Sequence, residues 1–136
     1  MKIRVEPPVW ALFPDLRVGV VVARGLDNTA GAERARETLA EATARVAALP
    51  IEEVPNHPAL APWRAAYRGF GVKPNDHRPS LEGLVRAARR GSLGSVNPLV
   101  DCYNAVSLSW LLPCGGEDLK AIRGDLVLTR ADGGEP

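Results

Sequence analysis

Three polar side chains carry the most pointed chemistry in this chain. Asn97, Asp101 and Asn104 recur at spacings of four and three, which on a helix puts them on one face. They interrupt a segment, Asn97 to Leu112, that is otherwise apolar around nearly the whole axis: Leu99, Val100, Cys102, Tyr103, Ala105, Val106, Leu108, Trp110, Leu111 and Leu112. A helix of that composition is expected to be buried. A buried carboxylate or amide without partners costs about 1–3 kcal/mol or more. The stripe therefore either ties neighbouring backbone together or lines a polar pocket, where amides and a carboxylate would hold a substrate.

Other groups could take part in catalysis. His77 lies in a proline-rich loop beside Arg78, where a binding role and an idle exposed histidine are both open. Glu117 and Asp118 follow a Gly-Gly turn; a carboxylate there could take an amine or activate water, or cap the following turn. No nucleophile elbow, P-loop, dinucleotide fingerprint or HExxH is present, and the GFG at 69–71 lacks the third glycine of a phosphate loop. Cys102 and Cys114 form no CxxC pair and have no nearby histidine, so reduced thiols, no metal site and no cofactor are expected.

The basic residues are unevenly placed. From Arg64 to Arg90 there are seven (Arg64, Arg68, Lys73, Arg78, Arg86, Arg89, Arg90) against Asp76 and Glu82, a net +5 in a chain whose total is +1, leaving −4 elsewhere. Trp63, Tyr67 and Phe70 sit at the start of this segment. Basic groups interleaved with aromatics suit phosphate contact and base stacking; a solvated helix face over core aromatics is the alternative. Arg64, Arg68, Lys73, Arg86, Arg89 and Arg90 are the candidate phosphate contacts.

These groups need elements to position them. Residues 2–5 read as a short strand stopped by Pro7 and Pro8. Leu16 to Ala23, with Val18, Val20, Val21 and Val22, reads as a buried strand. Gly25 to Thr29 is turn material. Ala32 to Leu49 is an amphipathic helix with Ala35, Leu39, Ala42, Val46 and Leu49 on one side and Pro50 beyond. A short helix is expected from Ala59 to Arg68, then a loop from Gly69 to Pro79. A helix capped by Ser80 runs to Arg90 and is ended by Gly91. Asn97 and Pro98 are a natural N-cap and first residue for the apolar helix, which Pro113 ends. Asp125 to Arg130 is a strand, and Asp132-Gly133-Gly134 reads as a turn. The expected fold is α+β: a layered domain whose central sheet, built from Leu16–Ala23 and Asp125–Arg130, is covered by helices.

At 136 residues, 46% hydrophobic and 24% charged, the chain fits one globular domain over 1–136. It has no stretch of 18 apolar residues and no apolar signal core in MKIRVEPPVW, so no membrane association is expected and a cytoplasmic location follows by default.

The stretches FGVKPNDHRPSLEGLVRAARRG, VNPLVDCYNAVSLSWLLPCGGEDL and IRGDLVLTRADGGE resemble the B-three/B-four domain of the phenylalanyl-tRNA synthetase β subunit, and most of all the freestanding proteins built from that domain. The shared core is Asn-x-x-Val-Asp-x-x-Asn, here Asn97, Val100, Asp101 and Asn104, followed by Leu108, Pro113, Asp118, Gly124 and Gly134-Glu135. The resemblance implies an α+β editing module with an amino-acid-sized pocket that hydrolyses the ester of a mischarged tRNA. It implies binding of a tRNA acceptor end or aminoacyl-tRNA, with no DNA partner. A non-catalytic tRNA- or amino-acid-binding module is the alternative. Asn97, Asp101 and Asn104 would bind substrate; His77, Ser109 and Glu117 are the catalytic candidates. Ser109 stands where the synthetase domain has a glutamate that recognises the tyrosine hydroxyl, and the family's pocket histidine has no counterpart near Trp63. The family domain usually continues past Gly-Glu into further strands, so truncation at the C terminus, or a different closure, is expected.

Overall fold

The computed structural model describes residues 1–49, 51–69, 71–131 and 133–134; for residues 51–53 it describes the backbone only. Its elements are β1 (Ile3–Val5), α1 (Pro7–Leu12), α2 (Ala32–Ala47), a 3-10 segment (Ile51–Asn56), α3 (Ala61–Gly69), α4 (Ser80–Arg89), α5 (Pro98–Trp110) and β2 (Leu126–Leu128). Helices with one small sheet make this an α+β composition. The chain divides into two units, one of residues 1–25 with 117–136, the other of residues 26–116.

In the second unit α2 packs against α5 and α4, and α4 against α5. The apolar stripe of α2 supplies Leu39, Ala42 and Val46; α4 supplies Leu81, Val85 and Ala88; α5 supplies Ala105 and Leu108; and Val54 and Leu60 close the core. The three- and four-residue spacing of these side chains is what turns one face of each helix inward. Helix α4 begins at Ser80, but its N-cap is Pro79, with no side-chain cap. Ser80 is thus the first helical residue and not the cap. At the other end Gly91 takes a left-handed φ of +67°. Gly91 N–H then donates to Ala88 O and Ser92 N–H to Ala87 O, at 3.1 and 3.0 Å, the paired bonds that end helices at glycine.

Helix α5 is less enclosed than its composition suggests. Asp101, Ala105, Ser107 and Leu108 are buried, while Leu99, Cys102, Val106 and Trp110 are exposed, Trp110 by 77%. The packing partners α2 and α4 cover one side only, so an all-round apolar sequence becomes a helix with an uncovered apolar side. It ends with Leu111 in the left-handed region (φ 49°, ψ 47°), its N–H on Ser107 O, and with Ser107 Oγ donating to Leu112 O at 2.6 Å.

The first unit holds the sheet. β1 and β2 run parallel, with Ile3 opposite Leu126, Arg4 opposite Val127 and Val5 opposite Leu128. Lys2 N–H donates to Asp125 Oδ1 at 2.7 Å and Thr129 Oγ1 to Glu6 Oε2 at 2.8 Å, which fastens both ends of this short ladder. One expectation is extended and one is corrected. Pro7 and Pro8 stop β1 but also open α1, because a first helical turn needs no N–H donor from them. Leu16–Ala23 forms no strand, and the sheet is β1 with β2. A β-branched run favours an extended chain, yet a strand exists only through its ladder partner. Among the described residues none pairs with this run, and Val21 is 93% exposed.

Leu81→Ala, at a site 1% exposed, is expected to lower unfolding free energy by about 2–5 kcal/mol, and Val21→Ala by no more than about 0.5 kcal/mol. Urea denaturation of both variants checks this; a Val21→Ala loss as large as that of Leu81→Ala would mean the valine run is packed after all.

Candidate functional site

The N-terminus of α5 is closed by two side chains, its own N-cap Asn97 and the distant Asn28. A helix leaves its first amides unsatisfied. Here Pro98 has none, Leu99 N–H donates to Asn28 Oδ1 at 2.9 Å, and Val100 N–H donates to the N-cap oxygen Asn97 Oδ1 at 3.0 Å. Asp101 N–H reaches Asn97 O at 2.9 Å. Asn28 is held in place by a turn in which Thr29 Oγ1 and N–H both donate to Asp27 Oδ1, at 2.6 and 2.9 Å. The hydrogen bonds from Thr29, side chain first and backbone second, hold the Asp27 carboxyl below its ordinary value.

Asp101 is 1% exposed and accepts from Ser95 Oγ at 2.5 Å through one oxygen and from Val96 N–H at 2.9 Å through the other. Its charge also lies in the first turn, where the helix dipole favours an anion. Asn97 Oδ1 and both Asp101 oxygens are thus spent on local backbone and on Ser95. Asn104 differs: its half-buried amide has no hydrogen-bond partner among the described residues.

The basic segment folds into a second cluster. Arg64 on α3 is 8% exposed and points inward. Its Nη1 meets Glu82 Oε2 at 2.6 Å and its Nη2 donates to Asn75 Oδ1 at 2.8 Å. Glu82 on α4 is fully buried, and its other oxygen accepts from Arg86 Nε at 3.0 Å and pairs with Arg86 Nη2 at 2.9 Å. Arg64, placed by its sequence among the phosphate contacts, has its donors committed to α4 and to the 71–79 loop. The reason is that Glu82, a carboxylate sealed in the core, needs buried partners, and Arg64 is one of the two it has. Arg68, Lys73 and Arg90 are exposed; Trp63 and Tyr67 are half-buried, and Phe70 lies outside the described residues. Arg89 is partly buried, with Nε and Nη1 sealed and unpartnered.

The catalytic candidates are not assembled by hydrogen bonds. His77 is exposed in its loop, its backbone N–H on Lys73 O at 3.1 Å. Ser109 is exposed on α5 and accepts from Arg45 Nη2 of α2 at 3.1 Å. Glu117 is exposed and belongs to the first unit. Its neighbour Asp118 accepts from Lys120 N–H at 2.9 Å, the turn-capping role weighed for this pair. Among the described residues no group of three His, Cys, Asp or Glu side chains could hold a metal ion, and both cysteines are free thiols. No helix among them is long and apolar enough to cross a membrane.

Residues 62–136, more than half of the sequence, match the B3/4 domain. The chain belongs to the B3/4 domain family. That is the family of the B3/B4 domain in the phenylalanyl-tRNA synthetase β subunit. The matched region begins within α3 and runs through α4, α5 and β2, so it takes in the arginine cluster and the α5 start, apart from Asn28 and the turn that holds it. No curated protein matches the chain, and no solved structure does.

Sequence reasoning did not single out Glu82, Asn75 or Asn28. The four-residue spacing of Glu82 and Arg86 was a visible signal of one half of the buried pair. Nothing local announces Arg64 with Glu82, or Asn28 with Leu99, since both contacts are made by tertiary packing.

Glu82→Gln is expected to cost about 3–5 kcal/mol, because it leaves Arg64 a buried charge without a counter-ion. The double change Arg64→Met with Glu82→Leu is expected to recover most of that loss in the same denaturation measurement. Asn97→Ala is expected to cost about 1 kcal/mol and to speed amide exchange at Val100 first; unchanged exchange there would contradict the cap.

Proposed function

We propose that this chain is a freestanding, editing-like domain that binds the acceptor end of an aminoacyl-tRNA and hydrolyses, in trans, the ester of a mischarged tRNA. The observation that carries this reading is membership of the B3/4 domain family over residues 62–136. A cytoplasmic site of action and the layered α+β arrangement of an editing module are part of the same proposal.

Within it, the exposed Arg68, Lys73 and Arg90 meet backbone phosphates, where cations contribute through release of counter-ions. Asn104 is the amide that meets the amino-acid-sized ligand, since its hydrogen-bonding groups are not already taken. Asn97 and Asp101 act on substrate through the helix they hold. An aminoacyl ester is intrinsically labile, so hydrolysis needs a positioned water and donors for the developing oxyanion more than a strong nucleophile. One such donor is worth about 10²–10³ in rate. His77, Ser109 and Glu117 are the side chains to test for that work.

A second reading has an observation of its own in favour. Ser109, at the place of the family's recognition glutamate, is engaged by Arg45, and the oxygens of Asn97 and Asp101 are used internally. A module that binds aminoacyl-tRNA or an amino acid without hydrolysing it fits those commitments.

The experiment is deacylation of a panel of mischarged tRNAs by the purified chain at micromolar concentration, with melting temperature measured beside it. Release of the amino acid above the uncatalysed rate is expected for at least one pair, with Asn104→Ala lowering kcat/KM about tenfold, the equivalent of one hydrogen bond of about 1.4 kcal/mol. A melting shift without release leaves the binding module. Neither release nor shift sinks both readings.

A further inference from the structure

We propose that Arg89, at the end of α4, is the centre of a phosphate-binding site. The decisive observation is a guanidinium whose Nε and Nη1 are both buried and lack any hydrogen-bond partner. They are the only such side-chain atoms among the described residues. An arginine cannot relieve this by losing its proton, as a buried lysine would.

The acceptors that would ordinarily serve an arginine at this place are occupied. Both oxygens of Glu82, two turns back on the same side of α4, are shared between Arg64 and Arg86. The last carbonyls of the helix are also in use: Arg86 O receives Arg90 N–H, Ala88 O receives Gly91 N–H, and Ala87 O receives both the N–H and the Oγ of Ser92. Arg89 therefore neither caps its own helix nor joins the neighbouring ion pair. Around it α4 is rich in positive charge, with Arg86, Arg89 and Arg90 against the single carboxylate of Glu82.

Charge excess and two waiting donors call for an oxyanion from outside the chain. Nη2 is not sealed in the way its neighbours are, and each buried donor shares an edge of the planar fork with it. Nε and Nη1 offer no surface of their own to an arriving oxygen, so the side chain turns outward, giving up no hydrogen bond, for an oxygen pair to bridge Nη2 and one of them. That is the two-point grip by which arginine holds phosphate. The group bound is a phosphate, either free or within a nucleic-acid backbone. The backbone source rests on the tRNA reading above; the site itself does not.

The test titrates inorganic phosphate, and separately a short single-stranded RNA, into the full chain at ionic strength held constant with chloride. Binding is read by the Arg89 Nε–H resonance and by melting temperature. Phosphate is expected to shift that resonance saturably and to raise the melting temperature. Arg89→Met is expected to weaken phosphate binding at least tenfold without lowering the melting temperature in chloride, whereas Arg36→Met, an exposed arginine on α2, leaves binding unchanged. RNA that displaces phosphate identifies the backbone source; phosphate binding that RNA does not disturb identifies the free anion.

No movement of the Arg89 resonance at millimolar phosphate overturns the site, whether or not Arg89→Met folds. Equal phosphate binding by Arg89→Met and the parent overturns it too. Phosphate held at Arg89 in a chain that neither binds nor deacylates aminoacyl-tRNA leaves the site standing and removes the tRNA reading. RNA binding unaffected by Arg89→Met, with phosphate binding lost, leaves the tRNA reading standing and takes Arg89 out of it.

Discussion

A carboxylate with no exposure to water organises the basic half of this molecule. Glu82 is sealed in the core with guanidiniums on it from two sides, Arg64 from α3 and Arg86 from one turn further along α4. Arg64 in turn grips Asn75, so a single buried charge fixes the approach of α3, the seat of α4 and the path of the loop that joins them. The loop carries Lys73 and His77, whose positions are set by this anchor and not by packing of their own, since both are exposed. The arrangement also explains why Arg89 is left over. Glu82 has two oxygens, and each already serves a different arginine.

Helix α5 meets a different constraint with related means. It starts with a proline and lies beside α2, so its first amides must be satisfied by whatever the preceding segments bring. Asn97 and the distant Asn28 do this, while Asp101 accepts from Ser95 and Val96 just ahead of the helix, and the three join the 26–30 turn and the 95–97 segment to one helix end. A stripe of polar residues on an apolar helix can serve a ligand or the backbone, and the two uses compete for the same lone pairs. Here two of the three residues have given their oxygens to local backbone and to Ser95. That leaves Asn104 as the group with capacity to spare, one turn deeper along the helix. Anchoring residues of this kind affect a binding site through the rigidity of the element that carries it.

Much of this was legible in the residue pattern, and the failures have physical causes. The spacing of Leu39, Ala42 and Val46 marked the inner face of α2, and Asn97-Pro98 marked the start of α5, because both signals are local. The strand at residues 2–5 and the one within Asp125–Arg130 were also readable, but not that they pair with each other across more than a hundred residues. The valine run of 18–22 carried the strongest strand signal and formed none, since propensity prepares a chain for a ladder without supplying the partner. Composition likewise predicted a wholly buried α5; which side is covered depends on where α2 and α4 lie, and Leu99, Val106 and Trp110 are left outside. For the candidate site, the residue types were visible and their allegiances were not. Arg64 and Arg89 look alike in the sequence, yet one is engaged by Glu82 and Asn75 and the other has two sealed donors without acceptors.

That distinction changes how the charge of the segment should be understood. A net +5 between residues 64 and 90 suggests a broad basic surface, but Arg64 and Arg86 direct their charge at Glu82 through contacts that salt screens weakly. What faces solvent is a smaller set, Arg68, Lys73, Arg78 and Arg90, whose attraction for a polyanion is long-ranged and fades as ionic strength rises. Arg89 stands between these groups. It is too enclosed to act as a mere steering charge, and among the described residues it has no partner to neutralise it. Exposed cations can bring an anionic ligand near, but they fix neither its position nor its orientation. A partly enclosed fork with unfilled donors can do both, which is why one arginine at the end of α4 has more bearing on recognition than the charge total of the segment that contains it.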